Sequence, residues 1–135
     1  MKRFLSRLFA LVLVAVIGLS VTACGSGSTM TGNYREDTMA VVAGLRQAID
    51  LPEGTSEKAA AQAQAKALIN DFASRYRRDS RYSGLASFTT MQTALNSLAG
   101  HYASYPNRPI PEKLKTRLEK EFRTVEIQLK RDAAA

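Results

Sequence analysis

The sequence predicts an all-α protein: an antiparallel four-helix bundle that follows a cleaved lipoprotein signal peptide and a short flexible linker. Three observations carry this. Four segments repeat apolar residues at three and four positions, the stripe of an amphipathic helix. Short breaks holding Pro or Gly separate them, no stretch alternates with the period of a strand, and no internal repeat is visible. Cys24 is the single cysteine, so no internal disulfide forms and packing alone must hold the fold. Four such helices with short loops form a bundle by default.

The leader spans residues 1–23. Lys2, Arg3 and Arg7 give it a basic start, and Leu8 to Leu19 carries no charge. This apolar run is shorter than the ~20 residues of a spanning helix, and small residues follow it, so it reads as a secretory signal peptide. Val21-Thr22-Ala23-Cys24 resembles the bacterial lipoprotein signal, in which the thiol receives a diacylglyceryl group and the chain is cut before the cysteine. The new amine is then acylated. The alternative is an ordinary signal peptide with an incidental cysteine. Cys24 is the expected lipid anchor, since two or three acyl chains hold stably where one is marginal. Residues 24–32 are then the acylated cysteine and a Gly/Ser/Thr tether whose last eight residues span ~15 Å on average.

The folded domain is residues 33–135. The first helix is expected from Tyr34 to Asp50, with Val41, Val42, Leu45 and Ile49 as its buried stripe. Asn33 is its N-cap, and Glu36 and Asp37 suit the dipole of its first turn. Leu51-Pro52-Glu53-Gly54 breaks the pattern. The second helix is expected from Ser56 to Asp79, capped by Thr55, alanine-rich at its start, with Ala61, Ala65, Leu68, Ile69, Phe72 and Tyr76 inward. Ser80 to Ala86 connects it to a third helix from Ser87 to Ala103, whose stripe is Phe88, Met91, Leu95, Leu98 and Tyr102. Gly100 costs that helix about 1 kcal/mol against alanine, so it either permits a close helix approach or helps end the helix. Ser104 to Ile110 carries Pro106 and Pro109 and is not helical. Pro111 fits the first position of a fourth helix reaching Arg131, with Leu114, Leu118, Phe122, Val125 and Leu129 inward.

Net charge argues against a nucleic-acid partner. Of 19 basic and 12 acidic residues, cleavage removes three basic and no acidic ones, so +7 falls to +4 over 112 mature residues. That modest surplus suits an anionic protein surface or lipid headgroups. One domain of this length buries about 65% of its unfolded surface.

Longer runs carry a resemblance. Asn33-Tyr34-Arg35-Glu36-Asp37-Thr38 begins it, and Phe72 to Asp79 (FASRYRRD) extends it. Ser87 to Tyr102 (SFTTMQTALNSLAGHY) and Ser104 to Pro111 (SYPNRPIP) complete it. The mature chain, from about Gly32 to Leu129, resembles the Psb27 family of photosystem II lipoproteins in its cyanobacterial, lipid-anchored form. The resemblance implies a small bundle on the lumenal side of the thylakoid membrane. It implies a non-enzymatic assembly and repair factor with no tightly held cofactor; the residues themselves mark no metal site. Such proteins bind transiently to immature, manganese-depleted photosystem II, chiefly at the large lumenal loop of a chlorophyll-binding inner antenna subunit, and delay docking of the extrinsic subunits. A monomer is expected when the protein is free.

The residues themselves mark few sites. His101 is the single histidine, and the expectation is a hydrogen-bonding role near the end of the third helix, because neither Ser97 nor Tyr105, one turn away, makes a metal set with it. Glu36 and Asp37 point about 100° apart on a helix and form no chelate. Tyr105, Asn107 and Arg108 lie in the proline-rich loop, which is either a plain turn or a rigid recognition surface; Tyr and Arg anchor interfaces, and prolines lower the cost of ordering. Arg75 and Arg78, with Arg77 and Arg81, either solvate a helix end or dock on acidic loops. Tyr105, Asn107, Arg108, Arg75 and Arg78 are the expected partner-binding residues. Two other functions remain open at this level: a generic envelope lipoprotein scaffold, and an exported hydrolase using His101.

Overall fold

The computed structural model describes residues 29–134, so the leader, Cys24 and the first part of the tether lie outside the described residues. Four helices and no strand appear among the described residues: α1 Tyr34–Asp50, α2 Ser56–Tyr76, α3 Ala86–Ser104 and α4 Glu112–Ala134. α1 starts as expected, because the Asn33 side chain accepts from the Glu36 N–H at 3.2 Å. Thr55 does the same for the Lys58 N–H at 3.1 Å. Pro111 stands one position earlier than expected: its carbonyl accepts from Leu114 and Lys115 N–H at 2.9 and 3.0 Å, so it closes the first turn from the cap position.

Two helix ends differ from expectation. α2 stops at Tyr76, three residues before Asp79, because the chain must turn to bring Tyr82 onto Tyr34, with ring centroids 4.5 Å apart. α4 runs on past Arg131 to Ala134, and Asp132 in this extra turn accepts a hydrogen bond from the Ser87 hydroxyl at 2.6 Å.

Every neighbour is antiparallel. α1 packs most extensively on α2 and α3 on α4; α1 against α4 and α2 against α3 close the bundle. The expected stripes form the core. Val41, Leu45, Met91, Leu98, Leu118, Phe122 and Val125 are fully buried, with Phe72 and Tyr76 nearly so. Ala61 and Leu114 lie at the margin, partly buried against it. Gly44 lets α1 approach α2, since a Cβ there would lie 2.5 Å from Leu68 Cδ1. Neither expectation for Gly100 holds: α3 continues to Ser104, and a Cβ at Gly100 would meet nothing within 4 Å.

Candidate functional site

Antiparallel packing gives the bundle two chemically different ends. At one end meet the starts of α1 and α3 and the finishes of α2 and α4. Tyr34 stacks edge-on to Tyr76 there, its hydroxyl lies 2.9 Å from Ser87 Oγ, and Ser87 bonds Asp132. The chain enters at this end. Thr29 Oγ1 donates to Asp71 on α2 at 3.3 Å. Thr31 donates to Asp37 Oδ1 from its N–H at 2.7 Å and from its hydroxyl at 2.8 Å, and the Gly32 N–H donates to Oδ2 at 3.0 Å. Tyr76 donates to the same Oδ2. Residues 29–32, expected within the flexible linker, are therefore fastened to the bundle.

Asp37 is the hub of this end and is 2% exposed. Burial alone would raise its carboxyl; the hydrogen bonds from Tyr76, Thr31 and Gly32 outweigh burial and hold it below the ordinary 3.8. Tyr76 shifts the other way, raised by burial first and then by its bond to the Asp37 carboxylate. The acid that the sequence assigns to the helix dipole thus serves as the socket for the tether. Gly32 sits in that socket with φ +93°, and a Cβ on it would lie 2.8 Å from the Arg75 guanidinium.

The arginines ring this same end. Arg75, Arg77 and Arg78 are exposed and make no ion pair among the described residues, whereas Arg81 is held by Asp79 at 2.7 Å.

The opposite end carries the proline-rich loop. Tyr105 caps α3, its N–H donating to the His101 carbonyl at 2.8 Å, and the Arg108 N–H donates back to the Tyr105 carbonyl at 3.2 Å. Ile110 plugs the loop into the core at 5% exposure. The Arg108 guanidinium lies 5.4 Å from the Tyr105 ring centroid, over its face, and Tyr105 remains 47% exposed. Asn107 is exposed between them. His101 Nε2 lies 3.4 Å from the Arg108 carbonyl, so the histidine braces the loop. Among the described residues no group of three or more His, Cys, Asp or Glu is placed to hold a metal ion.

The five expected docking residues therefore do not form one surface. Tyr105, Asn107 and Arg108 share one end of the bundle, and Arg75 and Arg78 lie at the other. Cys24 lies outside the described residues.

Two further polar features escape the sequence. Arg46 on α1 clasps α4, donating to Glu119 at 3.1 Å and to both oxygens of Glu126. That bidentate bond lowers the Glu126 carboxyl more than its burial raises it. Lys58, 4% exposed, donates to the Ala48 carbonyl at 2.6 Å and pairs with Glu53 at 3.3 Å, closing the α1–α2 turn. A buried lysine at the third position of a capped helix looks like any first-turn residue in sequence; its partner is a backbone oxygen and leaves no side-chain signal.

A family model described as Photosystem II Pbs27 matches residues 3–129. The photosystem II assembly factor lipoprotein Psb27 of Thermosynechococcus vestitus is 57% identical over 134 residues, covering 98% of each chain. The chain belongs to the Psb27 family. A second Psb27 relative, the photosystem II lipoprotein of a Synechocystis species, is also 57% identical, over 97% of this chain and 96% of its own. The solution structure of Psb27 from cyanobacterial photosystem II superposes with a TM-score of 0.75 at 55% identity, covering 82% of this chain and 96% of that one. Psb27 proteins are assembly factors and not enzymes, so no catalytic reading of His101 stands.

Proposed function

We propose that this chain is a non-catalytic assembly and repair factor of photosystem II, held at the lumenal face of the thylakoid membrane by an acylated Cys24. It docks transiently on the large lumenal loop of a chlorophyll-binding inner antenna subunit in immature, manganese-depleted complexes, and by occupying that surface it delays the extrinsic subunits. The observation that carries the reading is 57% identity along 98% of both chains to a protein named as a photosystem II assembly factor lipoprotein.

The fold suits a binding task. The Tyr105–Arg108 loop is capped, proline-stiffened and plugged by Ile110, so little entropy is lost on docking. A tether raises local concentration at the membrane, so a modest interface suffices. Affinity purification of the native protein from detergent-solubilised thylakoids tests this. It is expected to recover manganese-depleted photosystem II with the inner antenna subunit; recovery of unrelated envelope proteins alone would sink the reading.

A further inference from the structure

We propose that the flank formed by the outer sides of α2 and α3 docks an uncharged segment of the photosystem partner, with Gly100 at the point of closest approach. The inference deepens the proposed function and rests on its reading of the partner as a photosystem protein.

Charge sets this flank apart. α3 has 19 residues and no Lys, Arg, Asp or Glu among them, whereas 12 of the 23 residues of α4 are charged. Residues 59–74 of α2 hold two charges: Asp71 takes Thr29 of the tether, and Lys66 lies over the Tyr102 ring, 5.6 Å from its centroid. Arg77 marks the far limit of the flank, at the finish of α2. The exposed positions of α3 include Thr89, Thr93, Asn96, Gly100 and Ser104, weaker helix formers than the Lys and Arg that fill exposed positions of α4. At Gly100 no contact inside the fold compensates, since a Cβ there would meet nothing within 4 Å. A local rule broken without an internal gain points to a task outside the fold.

The flank is also grooved. α2 and α3 form the loosest of the four neighbouring seams. Two adjoining cavities of about 190 and 270 Å³ lie along it, both lined by Ile69, Asn70 and Ala99. Tyr102 lines the larger one; it is 4% exposed, and its hydroxyl has no hydrogen-bond partner among the described residues. An occupant that supplies the missing bond accounts for this buried hydroxyl.

The absence of charge selects the occupant. Anionic headgroups and nucleic acid call for clustered cations, and the middle of this flank offers Lys66 alone. Insertion into a bilayer calls for large exposed apolar side chains, but Met39 and Ile127 lie on α1 and α4 and Tyr105 in the loop. A charged polypeptide would lose its water against a face with no counter-charge. An uncharged protein segment fits, as the cores of protein interfaces are depleted of charge. Covering the flank strands few donors: the Thr93 and Ser97 hydroxyls already donate to carbonyls one turn earlier at 3.1 and 2.9 Å. Past Ala103 the flank meets the Tyr105–Arg108 loop, whose Pro106 carbonyl accepts from Gln62 of α2 at 3.5 Å, so loop and flank form one surface.

The native mature protein is titrated onto detergent-solubilised, manganese-depleted photosystem II from cells lacking it, and native gels separate bound from free chain. Asn96→Lys and Asn96→Glu place either sign of charge on the flank, and Gly100→Gln adds a neutral side chain. All three gain helix propensity, so melting temperatures are expected to hold or rise. Each is expected to weaken docking about tenfold, while Thr116→Lys on the exposed side of α4 leaves it unchanged. Retained docking in any of the three, or an equal loss in Thr116→Lys, overturns the inference and leaves the proposed function standing. Tighter docking of Asn96→Lys with weaker docking of Asn96→Glu would assign the flank to an acidic segment and also overturns it. A wild type that does not bind sinks the proposed function and this inference together. Native mass spectrometry covers the other occupants: a wild-type mass of two chains, or of one chain with a lipid released on denaturation, that Asn96→Glu abolishes gives the flank to a second copy or a lipid and overturns the inference.

Discussion

Tyr76 donates its hydroxyl to the buried carboxylate of Asp37, joining the last turn of α2 to the first turn of α1 and, through Thr31 and Gly32, to the incoming chain. Tyr76→Phe removes one of four donors from a buried charge and is expected to cost about 2 kcal/mol; Asp37→Ala strands all four and is expected to cost about 3 kcal/mol. Chemical denaturation of both variants checks this. A cost below about 0.5 kcal/mol for Asp37→Ala would show the socket to be marginal.

The same pair sets the pH response. The Asp37 carboxyl sits below 3.8 in the folded protein, so its contribution is complete above that pH and is lost as the pH falls through the lowered folded value. Glu126 shifts the same way and for the same reason of sign. Tyr76 is raised in the fold, so its contribution is present below about pH 10 and lost as the pH rises beyond it. Denaturant midpoints are expected to stay flat between pH 5 and 8 as far as these groups decide. Acid loss should be shallower in Asp37→Asn, which no longer titrates.

Two glycines on helices should respond oppositely to alanine. Gly100→Ala adds a methyl to open space and gains helix propensity, so it is expected to stabilise by about 0.5–1 kcal/mol. Gly44→Ala gains the same propensity but drives a methyl into Leu68, and is expected to lose about 1 kcal/mol net. Thermal melts of the two proteins, side by side, decide it; a shift of the same sign in both would contradict the packing of α1 on α2.

Glu126→Gln breaks the paired fork that Arg46 extends from α1 to α4. A loss of about 1 kcal/mol is expected, shrinking in high salt because the clasp is partly exposed. Comparison of denaturant midpoints at low and high salt measures it.

Arg108→Glu reverses the charge of an exposed side chain whose one side-chain partner among the described residues is the Tyr105 ring, so melting should be unchanged while co-migration with the photosystem on native gels falls. Unaltered co-migration would remove the loop from the docking surface.

The helices were readable because each announces itself locally. Asn33 and Thr55 cap, Pro52, Pro106 and Pro109 interrupt, and the stripes from Val41 to Leu129 repeat at helical spacing. The finish of α2 was not readable: Arg77, Arg78 and Asp79 tolerate helix, and the reason to turn is Tyr82 returning to Tyr34, 48 positions away in sequence. Asp37 hid for a similar reason. Its partners are a distant tyrosine and two residues whose composition says linker. The split of the arginines from the Tyr105–Arg108 loop follows from antiparallel order, which places the finish of α2 and the finish of α3 at opposite ends; residue type alone invites grouping them.

The clamp on Thr31 and Gly32 also has a mechanical side. A tug delivered through the N-terminal segment meets no slack beyond Thr29. It arrives at the junction of α1 and α2 as a shear across hydrogen bonds loaded together. Pull on the chain ahead of Thr29 is therefore borne first by the bonds of Thr29 to Asp71 and of Thr31 and Gly32 to Asp37, before it reaches the helices' apolar core.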